Sequence, residues 1–388
     1  MKRILGTSVL GLVVTAGGYF FLPAAAAQTA AGVPQYEVDP SWPKPLPNNW
    51  IHGDAPEVFA DAKDHIWLLS RPRTLPEDAI GASTKPPTSV CCVPAPPVIE
   101  FDQAGNVVQA WGGPGPGYDW PNSEHGLVVD HKENVWIGGN GPGDGSILKF
   151  TRNGKFLLQI GKQDKTAKLI EGRGQPRSAP RSNDLERMNM PAQIRVWEKT
   201  NEVFVSDGYG NRRVIVFDAD TGQYKRHWGA YGKKPNDEES NERTYQGPGP
   251  AQFNTPHGLG ISNDGIVYVA DRQNNRVQLF TIDGKFIKEA FILRHTINKG
   301  TAYNIEFSPD KEQKYLFVTD GGNSKVNILN RQTLEVVGSF GRKGPYPGQW
   351  KWVHGLAVDS KGNVFTSESQ GNRMQKFVAK PAATTASR

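Results

Sequence analysis

One short apolar strand with an aromatic at its centre is written six times along the chain: Ile66-Trp67-Leu68-Leu69, Val135-Trp136-Ile137, Val203-Phe204-Val205, Val267-Tyr268-Val269, Leu316-Phe317-Val318 and Val364-Phe365-Thr366. Most copies are preceded by an apolar stretch that ends in Asp and a turn, as in Leu127-Val128-Val129-Asp130 and Leu356-Ala357-Val358-Asp359. A third strand ending in an aromatic or Leu follows, as in Val98-Ile99-Glu100-Phe101 or Val277-Gln278-Leu279-Phe280. After a further turn most units add a fourth, such as Phe156-Leu157-Leu158-Gln159-Ile160-Gly161. Four short strands per unit, repeated six times at roughly 50 to 70 residues, predict an all-β fold, a six-bladed β-propeller.

The sixth unit runs out at Phe377 without a fourth strand. Gln35-Tyr36-Glu37-Val38, in the segment 28–48, can supply it and close the ring, which leaves 49–380 as the propeller and 381–388 as a disordered tail. Two polar insertions, about Gln163 to Arg187 and Tyr231 to Gln252, join blades and read as surface loops.

Composition agrees with this punctuation: 43 Gly and 29 Pro in 388 residues are interleaved with 10 Trp, 17 Phe and 11 Tyr. Without a Gly-X-Y period and with so many aromatics, collagen-like and disordered chains are excluded. The formal charge of +6 is spread rather than clustered, so no nucleic-acid footprint is present. At the N-terminus Lys2-Arg3, an apolar run from Ile4 to Leu22 and Ala24-Ala25-Ala26-Ala27 give the three parts of a secretory signal cut near Ala27. The alternative is an uncleaved anchor, the one route to a membrane. Either way the protein is expected to be exported, to the periplasm or the medium. Cys91 and Cys92 are adjacent. In an oxidising compartment they can close a vicinal disulfide, and the alternative is two reduced buried thiols.

At the start of the first strand of units two, four and six stand His125-Gly126-Leu127, His257-Gly258-Leu259 and His354-Gly355-Leu356. The intervening units carry Pro56, Ala192 and Tyr303 at that position. In a blade the first strand lines the central channel, so His125, His257 and His354 converge with pseudo-threefold symmetry. Three imidazoles with a vacant fourth position match a catalytic zinc site. The competing reading is that histidine serves as a turn residue entering the inner strand. Just after the second strand the same rim receives Arg71, Asp207-Gly208-Tyr209 and Asp271-Arg272. A tyrosine between cations can pass a proton, and arginine can grip a carboxylate bidentately.

At these residues the chain resembles the peptidyl-α-hydroxyglycine α-amidating lyases and, more broadly, the NHL-repeat propellers. Ser206-Asp207-Gly208-Tyr209-Gly210-Asn211, Thr255-Pro256-His257-Gly258-Leu259 and Val269-Ala270-Asp271-Arg272 carry the likeness. The resemblance implies that His125, His257 and His354 bind zinc, that Tyr209 is the general base and that Arg71 and Arg272 hold charge at the substrate. The implied reaction removes the α-hydroxyl proton of a peptidyl or small N-acyl-α-hydroxyglycine and breaks its C–N bond, releasing amide and glyoxylate. Where the lyases carry Met-Pro-His-Asp, this chain has Trp352-Val353-His354-Gly355. The pocket is therefore reshaped, and calcium loses a carboxylate ligand. Two other classes compete: a calcium lactonase, which needs Asp, Glu and Asn where this axis carries histidine, and a non-enzymatic binding scaffold, which needs no metal.

Overall fold

Each repeat resolves into one four-stranded antiparallel sheet. In the computed structural model, which describes residues 32–164, 166, 169–170, 177–239, 244–297 and 299–380, six such sheets follow one another as blades of a propeller. Their inner strands are Asp54–Ala60, Glu124–Val129, Gln193–Trp197, Pro256–Ile261, Ile305–Phe307 and Val353–Val358. The expected signal segment and C-terminal tail lie outside the described residues. Among the described residues no helix is long and apolar enough to cross a membrane.

A recurring Asp explains why the inner strands of three blades, those ending before Asp61, Asp130 and Asp359, turn where they do. Asp130 accepts hydrogen bonds from the backbone of Lys132 and Asn134, which closes the hairpin, and its other oxygen takes the indole proton of Trp136 at 2.9 Å. Asp61 and Trp67 repeat the arrangement at 3.0 Å. The central aromatic of the second strand is thereby fixed to the turn before it, and both indoles are fully buried.

Hydrophobic side chains fill the wedges between consecutive blades. Trp67, Leu69 and Val98 of the first blade pack on Leu127, Val135, Ile137 and Phe150 of the second. No blade can bury both faces alone, so the ring has to close. Gln35–Asp39 does this by pairing antiparallel with the outer part of Met374–Lys380, giving the last blade a fourth strand from the other end of the chain.

The described residues of the two polar insertions are mostly exposed or half-buried, and their ends are tied to the rim. Arg213, fully buried, donates to the carbonyls of Ser182, Asp184 and Arg187, and Arg276 donates to those of Pro250 and Gln252. The ends of both loops are thus clamped onto the rim by buried guanidinium groups.

Candidate active site on the propeller axis

The inner strands carrying the histidines do not pair evenly. The ladder slips between Glu124 and Leu127, between Pro256 and Gly258, and between Val353 and Gly355. A bulge re-aims the side chain at the slip, and in each case that residue is the histidine. The three rings meet with centroids 4.7–4.9 Å apart, and one ligand nitrogen from each lies within 4.8 Å of the others.

Their orientation is set from the intervening blades. Nδ1 of His125 lies 2.9 Å from the carbonyl oxygen of Ala192, Nδ1 of His257 2.7 Å from that of Tyr303, and Nδ1 of His354 2.7 Å from that of Pro56. A carbonyl can only accept, so each Nδ1 carries the proton and each Nε2 presents its lone pair. The glycine after two of the histidines permits this approach: a Cβ on Gly126 would stand 2.5 Å from the Ala192 oxygen, and one on Gly258 closer still to that of Tyr303. Burial, first of all, and then the neighbouring imidazoles and arginines keep the rings neutral. His125 and His257 are held well below the usual imidazole range and His354 at about 3. Neutral imidazoles with fixed Nδ1 protons are the form that ligates a metal.

The Tyr209 hydroxyl completes the cluster. It lies 2.9 Å from Nε2 of His125 and 3.0 Å from Nε2 of His257, and it accepts from Nη1 of Arg272 at 3.2 Å. One hydroxyl proton can serve only one of these two nitrogens. Among the described residues, Nε2 of His354 has no hydrogen-bond donor. The cluster therefore presents three converging Nε2 lone pairs and one hydroxyl proton to serve them, an arrangement that a cation would satisfy. The donor set fits zinc.

Around it the charge is positive. Arg272 is 7% exposed, stacks 4.2 Å from the ring centroid of Tyr303 and donates through Nε to the Lys299 carbonyl, yet no carboxylate among the described residues pairs with it. Arg71 reaches the Glu124 carbonyl and the Asn140 side chain, 2.7 and 2.9 Å away. A buried guanidinium without a counterion calls for an anionic ligand. Asp207 and Asp271, which stand beside Tyr209 and Arg272 in the sequence, turn away from the site into fully buried pairs with Arg213 and Arg276, at 2.8 and 2.7 Å. Lys299 escapes a sequence reading, whereas Trp352 stands where the sequence placed a reshaped pocket. Lys299 sits 3.1 Å from the ring centroid of Trp352, and Trp352 itself packs edge-on to Tyr303. No repeat position marks Lys299, which is why the sequence does not show it.

A second group of ligand-type atoms, Asp61, His65 and Glu100, lies in the first blade. It is already neutralised by Arg152, which binds Asp61 at 2.7 Å and also Glu100. Gly355 has no side chain to offer calcium. A side chain there would meet Ser367 Oγ, the Val58 nitrogen at 2.9 Å and the Glu57 Cα at 3.0 Å.

An NHL-repeat model matches residues 253–280, the stretch holding His257 and Arg272. Peptidyl-glycine alpha-amidating monooxygenase B of Xenopus laevis is 27% identical over 263 residues, covering 65% of this chain and 26% of the frog protein. The chain thus spans about a quarter of that relative's length. The probable peptidyl-alpha-hydroxyglycine alpha-amidating lyase pgal-1 of Caenorhabditis elegans is 25% identical over 252 residues, 64% of this chain and 62% of its own. This chain is an NHL-repeat propeller similar to the amidating lyases. Its backbone also superposes on the streptogramin B lyase structure with a TM-score of 0.51 at 12% identity, over 89% of this propeller and 98% of that chain, a likeness of fold.

Proposed function

We propose that the protein is an exported zinc-dependent lyase that cleaves the C–N bond of an N-acyl-α-hydroxyglycine to an amide and glyoxylate. The observation that carries this reading is the Tyr209 hydroxyl, which faces two imidazole Nε2 atoms and an unpaired buried arginine at once. His125, His257 and His354 would hold the ion through Nε2. Bound there, zinc supplies Lewis-acid polarisation of the substrate's α-hydroxyl oxygen.

The chain's own groups do the rest. Arg272, with Arg71 beside it, holds the substrate carboxylate, which orients the α-carbon towards the histidines. Tyr209 takes the α-hydroxyl proton. The O–H electron pair becomes the second bond of the glyoxylate C=O, the C–N bond breaks, and the departing nitrogen takes up a proton to become the amide. Arg272 donates to the Tyr209 oxygen and fixes it where it can take the α-hydroxyl proton as its own proton leaves for the departing nitrogen.

The test is glyoxylate release from α-hydroxyhippurate by zinc-loaded protein. Stoichiometric zinc with steady glyoxylate release supports the lyase. Protein that takes up zinc but releases none has a different substrate, and protein that binds no zinc is a scaffold.

Export brings a prediction for the cysteines. Cys91 and Cys92 lie in the excursion between the second and third strands of the first blade, next to Val93–Pro94, which pairs in parallel with Trp50–Ile51. Their Cα atoms are 3.1 Å apart, shorter than the ordinary disulfide range, so the pair is not an ordinary bridge. We expect a vicinal ring in protein recovered from an oxidising compartment. Mass spectrometry of unreduced protein should show no alkylatable thiol, and two free thiols would overturn the expectation.

A further inference from the structure

Arg272 is not alone at the site in lacking a counterion. Lys299, half-buried, is fastened to the same residues through its backbone: its carbonyl accepts from Nε of Arg272 at 3.0 Å and from the Tyr303 hydroxyl at 2.8 Å. Its side chain then runs to Trp352, where Nζ stands 3.1 Å from the ring centroid. Tyr303 joins this pair to the axis. Its ring lies 5.4 Å from that of His257 and 5.5 Å from that of His354, Arg272 covers one face at 4.2 Å, and Trp352 meets it edge-on at 6.2 Å. Gly321 backs both aromatics: a Cβ there would stand 2.6 Å from the indole nitrogen of Trp352 and 2.7 Å from Cζ of Tyr303. A continuous packed wall therefore leads from the histidines to Lys299.

The charge along this wall exceeds what one carboxylate neutralises. Arg71, Arg272 and Lys299 each bring a positive charge, whereas the α-hydroxyglycine end of a substrate brings a single negative one. The nearby acids are engaged elsewhere. Asp320, beside Gly321, accepts from the backbone and side-chain nitrogens of Asn323, and Glu368, which accepts from the Trp352 nitrogen, is paired with Arg373 at 2.6 Å. Among the described residues no carboxylate pairs with Lys299. Burial and then the charges of Arg272 and Lys343 hold its ammonium below the usual lysine range. The contact with the indole steadies that ammonium without neutralising it. We propose that Lys299, braced on Trp352, receives a second acidic group carried by the acyl part of the substrate, so that the site selects dianionic N-acyl-α-hydroxyglycines. The α-hydroxyglycine carboxylate lies on Arg272 and Arg71, and the acyl group runs along Tyr303 and Trp352 to the ammonium.

The substrate class rests on the lyase reading, whereas the choice of an acid at Lys299 does not, and the experiment separates them. Hippurates with a para-carboxylate or a para-carboxamide on the benzoyl ring have nearly the same shape, differ by one charge and lack the hydroxyl that is turned over. Calorimetry with zinc supplied should find the carboxylate bound at least about tenfold more tightly, the weight of a hydrogen bond to a charged group, and the margin should shrink as salt is added. In Lys299→Met the ratio should fall to about one. Lys299→Arg, which keeps a cation over the indole, should retain it. The α-hydroxylated forms of the two compounds should show the same preference in kcat/KM for glyoxylate release. Equal affinity for acid and amide in the wild type, or no measurable binding of either, overturns the proposal. So does a preference that survives Lys299→Met or is lost in Lys299→Arg. If neither hydroxylated compound releases glyoxylate while the binding preference holds, the lyase reading fails and Lys299 still stands as the acid-selecting residue of the site.

Discussion

Tyr209→Phe is expected to lower turnover of α-hydroxyhippurate by about 10²–10⁴-fold, the usual contribution of a general base. That corresponds to about 3–5 kcal/mol of barrier. Zinc content should not change, because the histidines are oriented through Nδ1 by the carbonyls of Pro56, Ala192 and Tyr303 and not by the tyrosine. Nor should the fold, since only a hydroxyl at the mouth of the cluster is removed. Arg272→Met separates a second role. It removes the donor to the Tyr209 oxygen and the unpaired charge together, so both kcat and KM should worsen, whereas Tyr209→Phe acts mainly on kcat. Glyoxylate release measured against substrate concentration for the three proteins checks this. Unchanged turnover in Tyr209→Phe would take the residue out of the mechanism. A loss of zinc in that variant would instead make it a ligand-positioning group.

Much of this arrangement is legible in one dimension because the propeller is a repeat. Once the six aromatic strands are aligned, the His-Gly pairs fall on alternate units, and alternate units of a six-membered ring have to face one another. Tyr209 and Arg272 follow from the same alignment, as residues just past a second strand. What the repeat cannot show is which way a side chain turns at that point. Asp207 and Tyr209 are two residues apart and Asp271 adjoins Arg272, yet the aspartates point into buried pairs whose partners, Arg213 and Arg276, lie on the next strand. Nor can it show the bulge that swings each histidine onto the axis, because a bulge is one residue out of register between two strands and leaves no periodic trace. The buried trio of Gln193, Asn304 and Glu57, in which Gln193 donates to Asn304 and Asn304 to Glu57, is hidden for another reason. Its members occupy equivalent positions but differ in residue type, so a search for repeated letters passes over them, and only their hydrogen bonds reveal them as a set.

The histidines support a prediction of similar size. Replacing His257 by Ala, or His354 by Ala, should take the zinc stoichiometry from one per chain to none at micromolar metal, and glyoxylate release should fall to background. Each substitution also leaves a carbonyl, that of Tyr303 or Pro56, without its donor, at a cost of about 1–3 kcal/mol to the metal-free protein. The propeller should tolerate that, because its blades are held by the wedges between them and by the closing strand, not by the histidines. Melting curves with and without zinc then distinguish a metal site from buried turn residues. A ligand bound only by the native state stabilises it by about 2.7 kcal/mol when present at one hundred times its dissociation constant. Wild type should gain that increment and the alanine variants should not, although all melt cooperatively. A wild-type melting temperature indifferent to zinc, with variants merely shifted down by the lost hydrogen bond, would show the three imidazoles to be structural pins between blades.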